Sequence, residues 1–321
     1  MLGDNSTEQF ARRLVAIAQK DLKAARLLYR KNFYPQAVFF FQQGVEKGYK
    51  AFALHSAVIR EKKMDEKPTI RDVSHTPTKI TCMSLEQSEK KSQKVKPIVD
   101  AVPEVKEVYA KLGVDYEEYL RQRMVAKEYI SDISKRPQDY RDLNSDDLDN
   151  VLARLFAYSE DFDAGRRSLQ QIKLNAETKE TMKRELLNSF EPLKGRCPGI
   201  IESVKLELDK AFESEMFSSS RKYQEFLLFC CESVYVSLIL NDLSIVTQPH
   251  ESSSRYPVGN IHPTQYYTKE LPLIVEFIPL LAYAERATKM LMKIVDYAER
   301  LQGMKKAGDP AINSTWQREG E

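Results

Sequence analysis

Residues 34–51 read Tyr34-Pro35-Gln36-Ala37-Val38-Phe39-Phe40-Phe41-Gln42-Gln43-Gly44-Val45-Glu46-Lys47-Gly48-Tyr49-Lys50-Ala51, and this stretch decides the fold. It reads as one amphipathic helix. Pro35 falls in the first turn, where its missing N–H has no intrahelical partner to lose. Gly44 and Gly48 each cost a helix about 1 kcal/mol relative to Ala, so their presence points to a close approach by another backbone. Glu46 and Lys50 stand in the favourable i, i+4 order. Gln43, Lys47 and Lys50 share a stripe that offers donors to a phosphate or a partner subunit. The alternative is a solvated face carrying weak salt bridges.

Upstream, Ser6 and Gln9 form a capping-box pattern, and Phe10, Leu14, Ile17, Leu22, Ala25 and Leu28 follow a helical stripe. These predict a helix over 7–31, a break at 32–35 and an antiparallel second helix over 35–62. Downstream, Arg71-Asp72-Val73-Ser74-His75-Thr76-Pro77-Thr78-Lys79 leads into a polar helix ending near Pro97. Lys90, Lys91, Lys94 and Lys96 crowd that helix, as a solvated face or as a phosphate-binding patch. Further helices are predicted over 100–112, 115–135, 146–172, 176–190 and 198–217, with Pro137, Asn144-Ser145, Pro192 and Pro198-Gly199 as breaks. The apolar stretch 223–246 reads as a central core helix, since Glu232 leaves it short of the roughly 18 uninterrupted apolar residues of a membrane span. A last helix is predicted over 269–302, kinked or split at Pro279, followed by a polar tail.

Composition supports a globular helical protein. The 321 residues are 42% hydrophobic and 30% charged, with only 11 Gly. Balanced charge, 49 basic against 47 acidic residues, excludes a global nucleic-acid signature and leaves only local patches. Cys82, Cys197, Cys230 and Cys231 have no CxxC spacing and predict neither a disulfide framework nor a zinc site. The start MLGDNSTEQF lacks the basic and apolar runs of a signal peptide, so the cytoplasm is expected. No Walker pattern or dinucleotide fingerprint is present, and no cofactor or metal is expected.

Tyr34, Ala37, Phe40, Gln42, Gln43, Glu46, Lys47, Lys50 and Ala51 together resemble the second helix of the HEPN family. Ser254-Arg255-Tyr256-Pro257, then Tyr267-Thr268-Lys269-Glu270 and a helix with Ala282, Ala284 and Ala287, resemble that family's Arg-Tyr-Pro loop and closing helix. The distance between the two halves exceeds a compact HEPN domain, which makes the middle a helical insertion or elaboration. The fold expected is an all-α antiparallel helical bundle with HEPN-like helices at 1–64 and 221–303, a helical insertion at 65–220 and a flexible tail at 304–321.

The resemblance implies a regulatory or defence protein that associates with RNA or a nucleotide by binding, as a homodimer, with a cognate nucleotidyltransferase as a further partner and no membrane. It also implies an alternative, a toxin-like endoribonuclease that needs no metal. In such enzymes four to six residues stand between an Arg and a following His. The histidine can take the proton of a ribose 2′-hydroxyl while the arginine stabilises charge on the scissile phosphate. Arg255 and His262 fit the spacing within a loop rather than a helix, whereas Arg71 and His75 have the polar Asp72 but only three intervening residues. These four are the catalytic candidates, and Gln43, Lys47, Lys50 and Tyr256 the nucleic-acid or nucleotide-binding ones. The competing reading for Arg255 is structural, pairing with a carboxylate or with helix carbonyls while Tyr256-Pro257 pins the turn. A purely structural interaction protein is the third reading.

Overall fold

The computed structural model describes residues 4–58, 69–73, 75–111, 115–135, 141–214, 217–257, 259 and 262–308. Among them the helices are α1 (Asp4–Arg30), α2 (Tyr34–His55), α3 (Ile70–Val73), α4 (Thr78–Ala101), α5 (Pro103–Lys111), α6 (Tyr116–Lys135) and α7 (Ser145–Gln170), followed by α8 (Ala176–Ser189), α9 (Pro198–Glu213), α10 (Ser220–Thr247), α11 (Pro263–Tyr266), α12 (Pro272–Val275) and α13 (Phe277–Gly308). No strand forms among the described residues.

The chain divides into two compact units. The first comprises 1–80, 137–158 and 232–321, and the second 81–136 and 159–231. Residues 1–64 and 232–303 share the first unit with 137–158, a stretch the sequence places within the insertion, whereas 221–231, which the sequence places with the closing helices, fall in the second.

In the first unit α1 and α2 form an antiparallel hairpin, and α13 lies against both. The turn between α1 and α2 is dictated locally. Asn32 adopts a left-handed φ of 60°, Phe33 N–H donates to the Leu28 carbonyl and Asn32 N–H to that of Tyr29, so the last carbonyls of α1 are satisfied before Pro35 opens α2. The α1–α2–α13 core is apolar, with Ala18, Leu22, Phe41, Val45, Phe277, Leu281 and Ala284 sealed from solvent. Tyr29 stacks on Phe277 at 4.8 Å and Phe41 meets the same ring edge-on at 5.3 Å. The two glycines of α2 do different things. A Cβ on Gly44 would lie 2.6 Å from Leu22 Cδ2 and 3.2 Å from the Ala18 carbonyl, whereas one on Gly48 would lie 3.1 Å from Thr288 Cγ2. Gly44 thus lets α1 approach, and Gly48 lets α13 approach.

Several boundaries depart from the sequence prediction for physical reasons. The first helix opens at Asp4, so Ser6 lies inside α1 and not at its cap. The second ends at His55 because Ala57 turns left-handed at φ 56° and Val58 N–H closes on the Ala53 carbonyl; residues 59–62 of the predicted helix lie outside the described residues. α4 passes through Pro97 and ends at Ala101, held by the burial of Val99 and by the Lys96–Asp100 pair one turn apart. Pro279 does split the last segment: α12 stops at Val275 and α13 restarts at Phe277, which puts the proline in a first turn where no backbone donor is lost. α13 then continues to Gly308, and 309–321 of the predicted tail lie outside the described residues.

α10 is one-sided. Tyr235, Val236, Ile239, Leu240 and Leu243 are buried, while Val234 and Leu238 are exposed. By length and composition the helix Ser220–His250 holds an 18-residue window apolar enough to cross a membrane, at mean hydropathy 1.6, a test that the core helix of a soluble protein also passes. The second unit holds its own apolar cluster of Leu174, Phe212, Phe217 and Tyr223.

Candidate functional site

The face of α2 that carries Phe39, Gln42, Gln43, Glu46 and Lys50 is a continuous stripe at helical spacing. Its centre is polar and buried. Gln42 has no exposed surface, Glu46 is 3% exposed and Lys50 9%. Glu46 is the hub. Its Oε1 accepts from Lys50 Nζ at 2.6 Å and its Oε2 from Gln42 Nε2 at 2.9 Å. The His75 imidazole comes in from the far end of the α3 segment, Nδ1 lying 3.3 Å from Glu46 Oε1. On the other flank Gln43 Nε2 donates to Gln42 Oε1 at 2.8 Å, and Lys47 Nζ to Gln43 Oε1 at 2.9 Å and to Asp21 Oδ2 of α1 at 2.6 Å. An unbroken chain of polar contacts thus runs from Asp21 to His75. A buried pair of charges is tolerated only when its remaining hydrogen-bonding positions are filled, and here both oxygens of Glu46 are occupied.

Local geometry holds His75 in place. Asp72 Oδ2 accepts from the N–H and Oγ1 of Thr69, at 2.6 and 2.8 Å, and so caps α3. Two residues beyond Thr76, Thr78 donates its N–H and Oγ1 to the wholly buried side of Gln248, at 3.2 and 2.7 Å. The His75 ring keeps 61% of its side-chain surface open.

Arg255 reaches the same stripe from the loop after α10. Its guanidinium sits 4.9 Å over the Phe39 ring and 5.2 Å over that of Tyr256. It also donates to the Glu251 carboxylate at 3.0 Å and to the Glu251 carbonyl at 3.3 Å. Phe39 and Glu46 are two helical turns apart, roughly 10 Å along the axis. One face of α2 therefore carries Arg255 at one end and His75 at the other.

The loop that presents Arg255 is anchored by a second cluster. His250 is buried, its Nδ1 2.9 Å from the Tyr267 hydroxyl, which lies 2.8 Å from Ser253 Oγ. Burial lowers the His250 pKa to about 3, with Arg141 adding to the effect, and raises the Tyr267 phenol well above its ordinary range. Beside it the Tyr266 hydroxyl donates to Asp142. Burial first, and then that bond, push Tyr266 up to about 12. This cluster is closed to solvent at its histidine and reads as an anchor.

The candidates read from sequence are distributed as follows. Among the described residues, no hydrogen bond, ion pair or ring contact joins Arg255 to His262 or Arg71 to His75. His262 stands at the N-cap of α11 with Nδ1 3.0 Å from Thr264 Oγ1, and Arg71 is exposed on α3. Gln43, Lys47 and Lys50 direct their donors into the network, and Tyr256 is exposed beside Arg255. The pairing of Arg255 with a carboxylate and a helix-end carbonyl is the structural role weighed from sequence, and the stack on Phe39 adds to it. The links Glu46–His75 and Phe39–Arg255 have no short-range signature, because each joins segments far apart in the chain. Among the described residues no cluster of three or more His, Cys, Asp or Glu side chains suited to a metal occurs.

None of the curated proteins or solved structures compared matches the chain. The family model for the HEPN domain matches residues 11–76, which cover α1 from Ala11 onward, α2, α3 and His75. This domain is all-α, and at the level of the family it supports a nucleotide-associated or ribonuclease-like function. The segment holding the α1–α2 hairpin and the Glu46–Lys50–His75 contacts is thus the part of the chain that matches the HEPN domain family.

Proposed function

We propose that this chain binds RNA or a nucleotide on the solvent side of the α2 stripe and acts, in a regulatory or defence role, through that binding. The observation that carries the reading is the stack of Arg255 on Phe39 and Tyr256, on the same helix face as the exposed His75. A guanidinium held over aromatic rings can still offer N–H groups to a phosphate, and an exposed tyrosine offers a face to a base. His75 supplies a further hydrogen bond about two turns away. The test is fluorescence anisotropy with a labelled single-stranded RNA, with ATP as a competitor. Arg255→Ala and Tyr256→Ala each weaken binding about tenfold, as loss of a stacked base or a charge-assisted contact does. Wild-type affinity in both variants overturns the reading.

The Glu46–His75 contact favours a second reading, cleavage of RNA without a metal. A carboxylate at Nδ1 orients the imidazole, which suits a general base that takes a proton and later returns it. Arg255 is the charge-stabilising partner in this reading, in place of the Arg71–His75 and Arg255–His262 pairs. Incubation with mixed RNA in EDTA separates the two: cleavage lost in His75→Ala and kept in His262→Ala supports it, and intact RNA with the wild-type protein removes it. The same proposal takes the protein as a cytoplasmic homodimer with a nucleotidyltransferase partner, which light scattering and co-purification test.

A further inference from the structure

The second unit carries a charged surface that the α2 stripe does not explain. Lys90, Lys91 and Lys94 of α4 are all exposed, and at 100° per residue they fall within one sector of the helix. Among the described residues none of the three has a carboxylate within 4 Å. Their neighbours are different. Lys96 meets Asp100, Lys127 of α6 meets Glu89 of α4, and Lys106 meets Glu117. Glu89 and Asp100 of α4 are thus paired elsewhere, while Glu86, one turn before Lys90, makes no ion pair with it. Lys96, which the sequence groups with the other three, is taken out of the set by Asp100.

Lys90 and Lys94 are an i, i+4 pair of like charge, an arrangement that weakens a helix on its own account. Three adjoining ammonium groups, none of them in an ion pair among the described residues, leave a local positive field on a chain of nearly balanced charge. Lysines act as point charges on flexible stems, suited to a phosphate backbone without regard to sequence.

We infer that the Lys90, Lys91 and Lys94 face of α4 is a second, sequence-independent contact for the phosphate backbone of single-stranded RNA. This rests on the RNA-binding reading of the α2 stripe, and it assigns to the second unit a share of that binding.

The experiment is a salt series on the full chain with a labelled 20-nucleotide single-stranded RNA. Wild type, Lys90→Gln/Lys91→Gln/Lys94→Gln and Arg255→Ala are compared, with circular dichroism and melting confirming that all are folded. Releasing three phosphate contacts lowers the slope of log affinity against log salt by about 2, since each contact on a single strand contributes about 0.7. Affinity at low salt falls tenfold or more, while Arg255→Ala, with one charge removed, changes the slope by less than 1. A triple variant with the wild-type slope overturns the lysine face and leaves the α2 reading standing. Wild-type protein that binds no RNA at any salt overturns both. If the triple variant loses binding to phosphatidylserine vesicles but not to RNA, the face belongs to a membrane surface and the inference is overturned.

Discussion

Arg255 holds its guanidinium 4.9 Å above the ring of Phe39, so that the loop following α10 rests on the first turns of α2. Without an aromatic ring beneath it the guanidinium loses its platform but keeps its charge. Phe39→Leu, which retains apolar bulk, is expected to weaken RNA binding about 2- to 5-fold, the worth of a partly exposed cation–π contact. Phe39→Tyr keeps the wild-type affinity. Anisotropy titrations of the two variants side by side check this.

The buried charges of α2 behave as a set. Lys50→Met leaves Glu46 buried without its closest cation, and is expected to cost about 3–5 kcal/mol. Glu46→Leu combined with Lys50→Met removes both charges and is expected to cost much less than either change alone. Urea denaturation of the two single variants and the double variant measures the difference. A double variant as unstable as the sum of the singles counts against the coupling seen in the 2.6 Å contact.

Two glycines on one helix are predicted to respond in different ways. Gly44→Ala drives a methyl group into the buried Leu22 and against the Ala18 carbonyl, and overpacking of that kind costs about 1–3 kcal/mol. Gly48→Ala meets Thr288 at 3.1 Å and gains about 1 kcal/mol of helix propensity, so its net change stays within about 1 kcal/mol. Thermal melting ranks the two directly.

Ala57 closes α2 in a left-handed conformation, φ 56°, which costs a residue with a Cβ about 1–2 kcal/mol. Ala57→Gly removes that cost and adds some chain entropy to the unfolded state. The expected outcome is a gain of up to about 1 kcal/mol in urea denaturation. A loss of stability shows that the turn is held open by something other than the backbone conformation.

The buried His250 makes stability depend on pH. Its pKa in the folded protein is about 3, against 6.5 for the ordinary imidazole. Between those values the unfolded chain binds more protons than the folded one, so stability rises with pH across this window. The contribution is complete above about pH 6.5 and is lost as the pH falls toward 3, with a slope approaching 1.4 kcal/mol per pH unit. Asp142, held below its ordinary carboxylate range chiefly by Arg141, adds a loss of the same sign at lower pH. In His250→Gln the slope between pH 6.5 and 5 is expected to flatten, as read from denaturation midpoints at fixed pH steps.

The fold was legible where local chemistry decides it. Pro35 marks the start of α2, Pro279 the split before α13, and the small residues of α2 the approach of its neighbours. The site was legible only as a roster of residue types. His75 and Arg255 stand out by sequence, yet their partners there are neighbours in the chain, Arg71 and His262. In the structure each is instead placed by a residue of α2, His75 by Glu46 and Arg255 by Phe39. Periodicity says which side of α2 is polar but not that Gln42, Glu46 and Lys50 face inward, because an i, i+4 pair reads the same on a wet face as on a dry one. At Pro97 a local stop signal is overridden, where the burial of Val99 and the Lys96–Asp100 pair accompany the helix past the expected end.

The packing of α13 against both α1 and α2 also bears on how the protein is made. A ribosome delivers the α1–α2 hairpin early, but Phe277, which receives Tyr29 and Phe41, emerges only after the whole second unit has been synthesised. At about 5–20 residues per second the wait is on the order of tens of seconds. During that time the apolar side of the hairpin lacks the cover that Phe277 gives it in the finished fold, and the bundle is complete only once the last helix has closed on it.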